Sequence, residues 1–451
     1  MKRYKTALVL GLGTSGFAAA RMLCNEETIV TVVDSRRNKD LINRARKLEK
    51  LGAQVILGAR KLPRLNTTRD FEICIISPGI PPDSDWTGDL ERRGIEIISE
   101  LELGASRCKC PILAVTGSKG KSTLVKLCFD AMKLAGKRTA IAGNYGIPLC
   151  EVAAASRNLD WVVLEVSSFQ LERVRDFRPR IGVLLNVQPD HLDRHGDMKT
   201  YLEIKSRVFR RMRETDAAIV FDRNMKDVRR TAAGKRRWIT FGLSKEANFR
   251  YAEERVWFTG QNRRKSISLA GSIFANDILG VSAAAAVAAV CACRLPSAAV
   301  EKAVRAFVPL PHRMSEITVT DGVRFVNDSK ATSITALCAG VKMCGGPVRL
   351  IAGGLLKEKD LTLAKKVLER RVKSIYLIGK ASQQMKKAWG SAVRSCLCGD
   401  LETAVRRAFR DARTGETVLL SPGCASFDQF MNFEDRGDQF VKIVRSINEE
   451  K

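Results

Sequence analysis

The sequence predicts an α/β protein of three successive blocks, and three observations carry that expectation. Short β-branched runs alternate with segments of helical period almost throughout, the pattern of parallel sheets covered by helices. The 451 residues suffice for about three domains. Two Gly- or Pro-marked passages, Ser99–Cys110 and Val308-Pro309-Leu310-Pro311, interrupt the pattern and divide it into 1–106, 107–308 and 309–451.

The first block opens on a strand, Thr6–Leu10, followed by Gly11-Leu12-Gly13-Thr14-Ser15-Gly16 and a helix. Further strands are expected at Ile29–Val33, closed by Asp34, and at Ile73–Ile76. Glycines at a strand-to-helix turn bring backbone N–H groups near a phosphate, and an acid after the next strand suits a ribose. The same glycines could serve a sharp turn with no ligand. Dinucleotide and nucleotide-sugar binders are not separated by this motif. Lys2-Arg3 before an apolar run loosely mimics a secretion signal, but the run stops at Gly11.

The second block carries the sharper signal. Strand Ile112–Val115 leads into Thr116-Gly117-Ser118-Lys119-Gly120-Lys121-Ser122-Thr123 and a long helix. Consecutive N–H groups at a helix start cradle phosphate oxygens, a lysine neutralises the terminal phosphates, and a hydroxyl can ligate Mg²⁺. Strand Trp161–Leu164 then delivers Glu165 at its C-terminal end, where ligands gather in an open parallel sheet. Strand Ile181–Leu185 delivers the polar run Asn186 to Gly196, and a helix with Lys205 follows. Two of the chain's 3 histidines, His191 and His195, fall in that run. A zinc pair would want a third ligand and a more apolar setting, so a divalent-ion site beside the phosphate loop fits better. The alanine-rich stretch Ile278–Cys293 is short for a membrane span and predicts a buried helix ended near Pro296.

The third block has strand-like runs at Arg349–Ile351, Ser374–Ile378 and Thr417–Leu420. Polar clusters stand beside such runs: Pro311-His312-Arg313, Asn327-Asp328-Ser329-Lys330-Ala331-Thr332, Gly353-Gly354 with Lys357, and Ser421 to Phe430. Their cations and hydroxyls suit a small dicarboxylate and nucleotide phosphates.

Charge is the unusual bulk property. Lys and Arg number 77 against 49 Asp and Glu, a net +28, which favours anionic substrates. The basic residues are scattered rather than gathered in one stripe, so a dedicated nucleic-acid site is not expected. The 13 cysteines include no Cys-x-x-Cys pair, which suits reduced thiols in the cytoplasm.

Taken together, Thr116–Thr123, Gly143-Asn144-Tyr145-Gly146, Glu165 with Ser167–Leu171, and Asn186–Gly196 with Lys205 resemble the ATPase domain of the Mur ligases of peptidoglycan synthesis. The tail, Leu419–Phe440 with Asn432-Phe433-Glu434-Asp435-Arg436-Gly437, is similar to the D-glutamate-adding branch. The Asp-Asn-Pro-Arg-like signature of the lysine- or diaminopimelate-adding relatives is absent from the sequence. Folylpolyglutamate synthases share the phosphate loop but fit the tail and first block poorly.

The resemblance implies a Rossmann-like N-terminal domain, a central P-loop ATPase-like domain and a Rossmann-like C-terminal domain in a cytoplasmic, monomeric ligase without a membrane span. It implies ATP and two Mg²⁺ as cofactors, with UDP-N-acetylmuramoyl-L-alanine and D-glutamate as substrates. Lys121, Lys205, His191, Glu165 and Asn144 would be catalytic. ATP would be held by Gly117 to Thr123, with Arg313, Asp328 and Lys330 near the nucleotide. One Mg²⁺ would sit on Ser122 and Glu165, the other on Glu165 and His191, with Lys205 carbamylated into a metal-bridging carboxylate. Thr14, Ser15, Ser35, Arg36 and Ser77 would bind the UDP-sugar, and Thr332, Lys357, Ser426 and Phe433 the D-glutamate.

Three positions depart from the family pattern. Ile273–Asp277 lacks the usual His-Asn-x-x-Asn, so no residue is assigned to adenine. Ser333 stands where Asn is usual, and Gly423 where Ala is usual. The competing readings are a Mur-type ligase for another amino acid, a basic P-loop NTPase acting on nucleic acid, and an NAD-dependent dehydrogenase that would leave the phosphate loop unexplained.

Overall fold

The structure, a computed structural model, describes residues 3–60, 71–232, 234–260, 263–358 and 360–450. Three sheets follow one another along the chain. The first is all parallel: β1 (Thr6–Leu10), β2 (Ile29–Asp34), β3 (Gln54–Leu57), β4 (Ile73–Ile76) and β5 (Ile97–Ser99), in the order β3-β2-β1-β4-β5. Its chain reversal beside β1 opens a crevice at the C-terminal strand ends, where the glycine turn lies. That turn is tight: a Cβ on Gly16 would stand 1.8 Å from the Gly11 carbonyl oxygen.

The second sheet contains β6 (Ile112–Thr116), β7 (Thr139–Gly143), β8 (Trp161–Glu165), β9 (Ile181–Leu184), β10 (Ala217–Phe221), β11 (Arg237–Gly242), β12 (Phe249–Ala252), β13 (Arg255–Gly260) and β14 (Arg263–Ser268). Their order is β14-β13-β12-β11-β10-β9-β6-β8-β7. It is parallel from β7 to β12, and an antiparallel extension, β12 to β14, departs from the wholly parallel sheet expected. Strand β6 lies between β8 and β9, so the loops after all three emerge side by side. The helix Asp277–Ala292 covers this sheet, as the alanine-rich stretch predicted, and ends before Pro296.

The third sheet contains β15 (Ser315–Thr320), β16 (Val323–Asn327), β17 (Val348–Gly353), β18 (Val372–Ile378), β19 (Ser395–Gly399) and β20 (Thr417–Leu420). Their order is β15-β16-β20-β17-β18-β19, parallel except for β15.

These sheets form two compact units, Met1–Phe307 and Val308–Lys451. The first two sheets share a unit because the helix Glu100–Arg107 belongs to both cores. Its Leu101 packs in the cluster under the second sheet, while Leu103 packs in the cluster under the first. Each such buried leucine contributes about 1.5–3 kcal/mol. Between them, the Glu102 carboxylate accepts from the backbone N–H groups of Arg175, Asp176 and Phe177 at 2.9, 2.8 and 3.1 Å.

Candidate active site

The phosphate loop departs from β6 with Gly120 in the left-handed region (φ 81°), which a glycine adopts without Cβ strain. Asn186, just past β9, fixes the loop from beside it. Its Oδ1 accepts from the N–H groups of Ser118 and Lys119 at 3.1 and 2.9 Å, and its Nδ2 donates to the Lys119 carbonyl at 2.9 Å. Ser118 Oγ donates to the Gln188 carbonyl at 2.9 Å. The helix Lys121–Leu134 thus begins at a braced ring of main-chain groups, with Thr123 in its first turn.

Around this ring the strand ends deliver charge. Ser122 Oγ donates to Glu165 Oε2 at 2.6 Å, and Asn144 Nδ2 donates to Glu165 Oε1 at 2.7 Å. Lys121 Nζ donates to the carbonyls of Gly117 and Ser118 at 2.8 and 3.0 Å. Lys119 pairs with Asp190 at 3.1 Å.

Lys205 is 1% exposed, donates to the Gly117 carbonyl at 2.9 Å, and lies 4.5 Å from the centre of the Tyr201 ring. Burial, reinforced by the nearby Lys121 charge, pushes this amine well below the usual lysine range. His191 keeps 44% of its side chain exposed, and its partial desolvation lowers its pKa against the opposing pull of Asp190. His191 has a left-handed backbone (φ 55°) at the start of the helix Leu192–His195, an uncommon conformation for a non-glycine residue. Sequence reasoning therefore named groups that the fold gathers: Lys121, Ser122, Asn144, Glu165, His191 and Lys205 surround one loop.

His195 does not join His191. Its Nε2 is 3.0 Å from Ser168 Oγ and its Nδ1 is 3.4 Å from Glu172 Oε1. Among the described residues no three His, Cys, Asp or Glu side chains converge as a metal cluster.

In the first sheet, Thr14, Ser15, Ser35, Arg36 and Ser77 all line one pocket of about 570 Å³, together with Pro78, Ile80 and Trp86. Asp34 lines the same pocket. It is largely buried, and its two oxygens accept from Leu12 N at 2.7 Å and Arg36 N at 2.8 Å, so it also pins the glycine turn. Asn276 is spent locally, capping the helix Asp277–Ala292 by accepting from Ile278 N and Leu279 N.

In the second unit, the loops after β16, β20 and β17 lie on neighbouring strands, so Lys330, Thr332, Ser426 and Lys357 are carried by adjacent loops. Lys330 Nζ lies over the Phe433 ring at 3.3 Å. Lys357 is exposed and Arg313 half-buried, whereas Ser426 is buried. Asp328 turns inward: Ser421 Oγ donates to it at 2.9 Å, and burial raises its pKa to about 7. Ser333 retains a use despite its departure, as it caps the helix Ile334–Met343.

Arg436 and Tyr201 were given no role by the sequence reading. Arg436 is fully buried, donating to Ser329 Oγ at 3.0 Å and to the carbonyls of Ser329 and Cys424 at 2.8 and 3.1 Å. Tyr201, whose hydroxyl oxygen is 3.2 Å from Ser118 Oγ, has its ring beside the Lys205 amine. An arginine just before Gly437 in the tail and a tyrosine one helical turn before a lysine were the signals available.

A phosphate loop flanked by a strand-end carboxylate, an amide and a buried amine, in a chain of three α/β sheets, suits an ATP-dependent ligase, and the chain belongs to the Mur ligase family. Family models match as the Mur ligase MurD-like N-terminal domain at 5–99, the Mur ligase middle domain at 115–288 and the Mur ligase glutamate ligase domain at 312–424. Among its relatives are the UDP-N-acetylmuramoylalanine–D-glutamate ligase of Koribacter versatilis, 35% identical over 100% of this chain and 99% of the relative, and that of Caldanaerobacter subterraneus, 33% identical over 98% of each. The fold is also that of MurC from Thermotoga maritima (TM-score 0.60, 15% identity, 98% and 99% of the two chains). MurF from Thermotoga maritima, solved with ADP, gives TM-score 0.60 at 16% identity over 93% and 95%.

Proposed function

We propose that the chain joins D-glutamate to UDP-N-acetylmuramoyl-L-alanine at the expense of ATP, working as a cytoplasmic monomer. The observation that carries the reading is the triad of Ser122, Glu165 and Asn144 at the mouth of the phosphate loop. Full-length similarity to D-glutamate ligases supports the choice of amino acid. Thirteen free cysteines suit a reducing compartment, and no helix among the described residues is long and apolar enough to cross a membrane.

The acceptor's terminal carboxylate attacks the γ-phosphorus of ATP, the bond to the β-phosphate oxygen breaks, and an acyl phosphate and ADP result. The loop N–H groups and Lys121 offset charge spreading over the transferring oxygens. The D-glutamate amine then attacks the acyl carbon, loses a proton, and phosphate leaves. Thr332, Lys357, Ser426 and Phe433 are assigned to the amino acid; Arg313, Asp328 and Lys330 are assigned to the nucleotide side. Thr14, Ser15, Ser35, Arg36 and Ser77 are assigned to the UDP-sugar.

A hydroxyl, a carboxylate and an imidazole form a donor set that fits divalent metal. Ser122, Glu165 and His191 would hold Mg²⁺, which supplies charge neutralisation to the phosphates. The depressed pKa of Lys205 supports its assignment as the carbamylated lysine, because only a neutral amine adds CO₂, releasing a proton and leaving a carboxylate.

The test is phosphate release from ATP with the muramoyl acceptor and a panel of amino acids. D-glutamate alone should sustain turnover; preference for another amino acid would overturn the substrate assignment.

A further inference from the structure

Arg194 ties the first-sheet pocket to the phosphate site. It lies in the short helix that His191 begins. Its Nη1 donates to the Pro78 carbonyl at 2.9 Å and its Nη2 to the Ile80 carbonyl at 3.1 Å. Both residues line the pocket after β4. The other edge of the guanidinium holds Glu172, through Nε at 2.9 Å and Nη2 at 2.5 Å. Its flat face covers the Phe169 ring at 4.2 Å, and that same ring meets His191 edge-on at 4.8 Å. The side chain is only 13% exposed, so these bonds are sheltered from water.

Glu172 is held in turn. His195 Nδ1 lies 3.4 Å from it, and Arg194 and His195 are adjacent in sequence, so the carboxylate braces both. The planar fork of a guanidinium fixes direction as well as distance, unlike a flexible ammonium. A displacement of the Pro78–Ile80 carbonyls must therefore turn Arg194 or break its bonds. Turning it moves the Phe169 ring against which His191 packs.

We propose that Arg194 is a positioning residue that couples the two sites, so that nucleotide-sugar and ATP each bind more tightly when the other is present. This rests on the ligase reading above. Coupling of this kind is reciprocal: whatever factor one ligand adds to the other's affinity is returned. It would keep the phosphate site from assembling fully before the carboxylate to be phosphorylated has arrived.

The experiment is calorimetric titration of the full chain with a non-hydrolysable ATP analogue and Mg²⁺, with and without saturating UDP-N-acetylmuramoyl-L-alanine. In the unaltered protein the acceptor should tighten analogue binding about 5-fold or more. Arg194→Met should bring that ratio close to unity, and Arg194→Lys, which keeps one donor, should retain part of it. Affinity for the analogue alone should change little in either variant, an outcome that general loosening of the fold would not give. An unchanged ratio in Arg194→Met, or no ratio in the unaltered protein, overturns the coupling. If Arg194→Met fails to fold, Arg194→Lys decides, since an undiminished ratio there has the same force. Failure of the acceptor to bind at all would sink the ligase reading itself, whereas independent binding of both ligands sinks only the role of Arg194.

Discussion

At the scale of single residues, the buried Lys205 makes the sharpest prediction. Lys205→Ala should abolish turnover, and added short-chain carboxylate should restore part of it; undiminished turnover would remove the carbamate assignment. Lys121→Ala should lower kcat by about 10²-fold or more, the usual cost of losing a preorganised charge in phosphoryl transfer, as measured by ADP release at saturating substrates. Lys121 and Ser122 were legible in the sequence because a Gly-Lys-Ser-Thr run after an apolar strand has few structural uses. Glu172, Arg194 and Tyr201 were not, because their meaning lies in partners far along the chain, such as Arg194 with Pro78 and Ile80. At Asp34 the motif was visible, and the fold adds that its oxygens also hold the turn by accepting from Leu12 N and Arg36 N.

At the scale of elements, the helix Glu100–Arg107 contains a second buried acid. Glu100 Oε1 accepts from Cys150 N at 2.7 Å, while its Oε2 has no hydrogen-bond partner. Burial raises its pKa from 4.5 to about 7. The folded chain therefore retains a proton that the unfolded chain releases, so this stabilising contribution is complete below the unfolded value and is lost as pH rises through the folded one. Glu100→Gln should flatten the pH dependence of the first unit's stability by on the order of 1.4 kcal/mol per pH unit in that window. Urea melts at several pH values would check this, and parallel curves for both proteins would refute it. In the second unit, Arg436→Met should cost at least about 3 kcal/mol, because it strands the carbonyls of Ser329 and Cys424. A thermal midpoint within a degree or so of the unaltered protein would contradict that. The apolar central strands were readable from sequence, as β1, β4 and β20 fall where the runs predicted. The hairpin of β13 and β14 was not, since its arginines and serines lack the alternation that marks a half-buried strand.

At the scale of the whole molecule, part of the basic complement enters local pairs such as Arg349–Glu416 and Arg178–Asp216, and the excess of +28 is scattered along the sequence. ATP turnover should therefore respond to the two small substrates and not to added DNA or RNA. Stimulation by nucleic acid alone would favour the NTPase reading. The three blocks were legible as three sheets, but the sharing of one unit by the first two was not. It depends on which way Leu101 and Leu103 face, two positions apart on one short helix.

The division at Phe307 and Val308 has a consequence for how the chain is made. Domains generally fold as units, N-terminal first, while synthesis continues at about 5–20 residues per second. Lys121, Ser122, Asn144, Glu165 and Lys205 all precede that division, so the phosphate loop and its bracing can be built on the ribosome before the second unit, with Arg313, Asp328 and Lys330, has emerged.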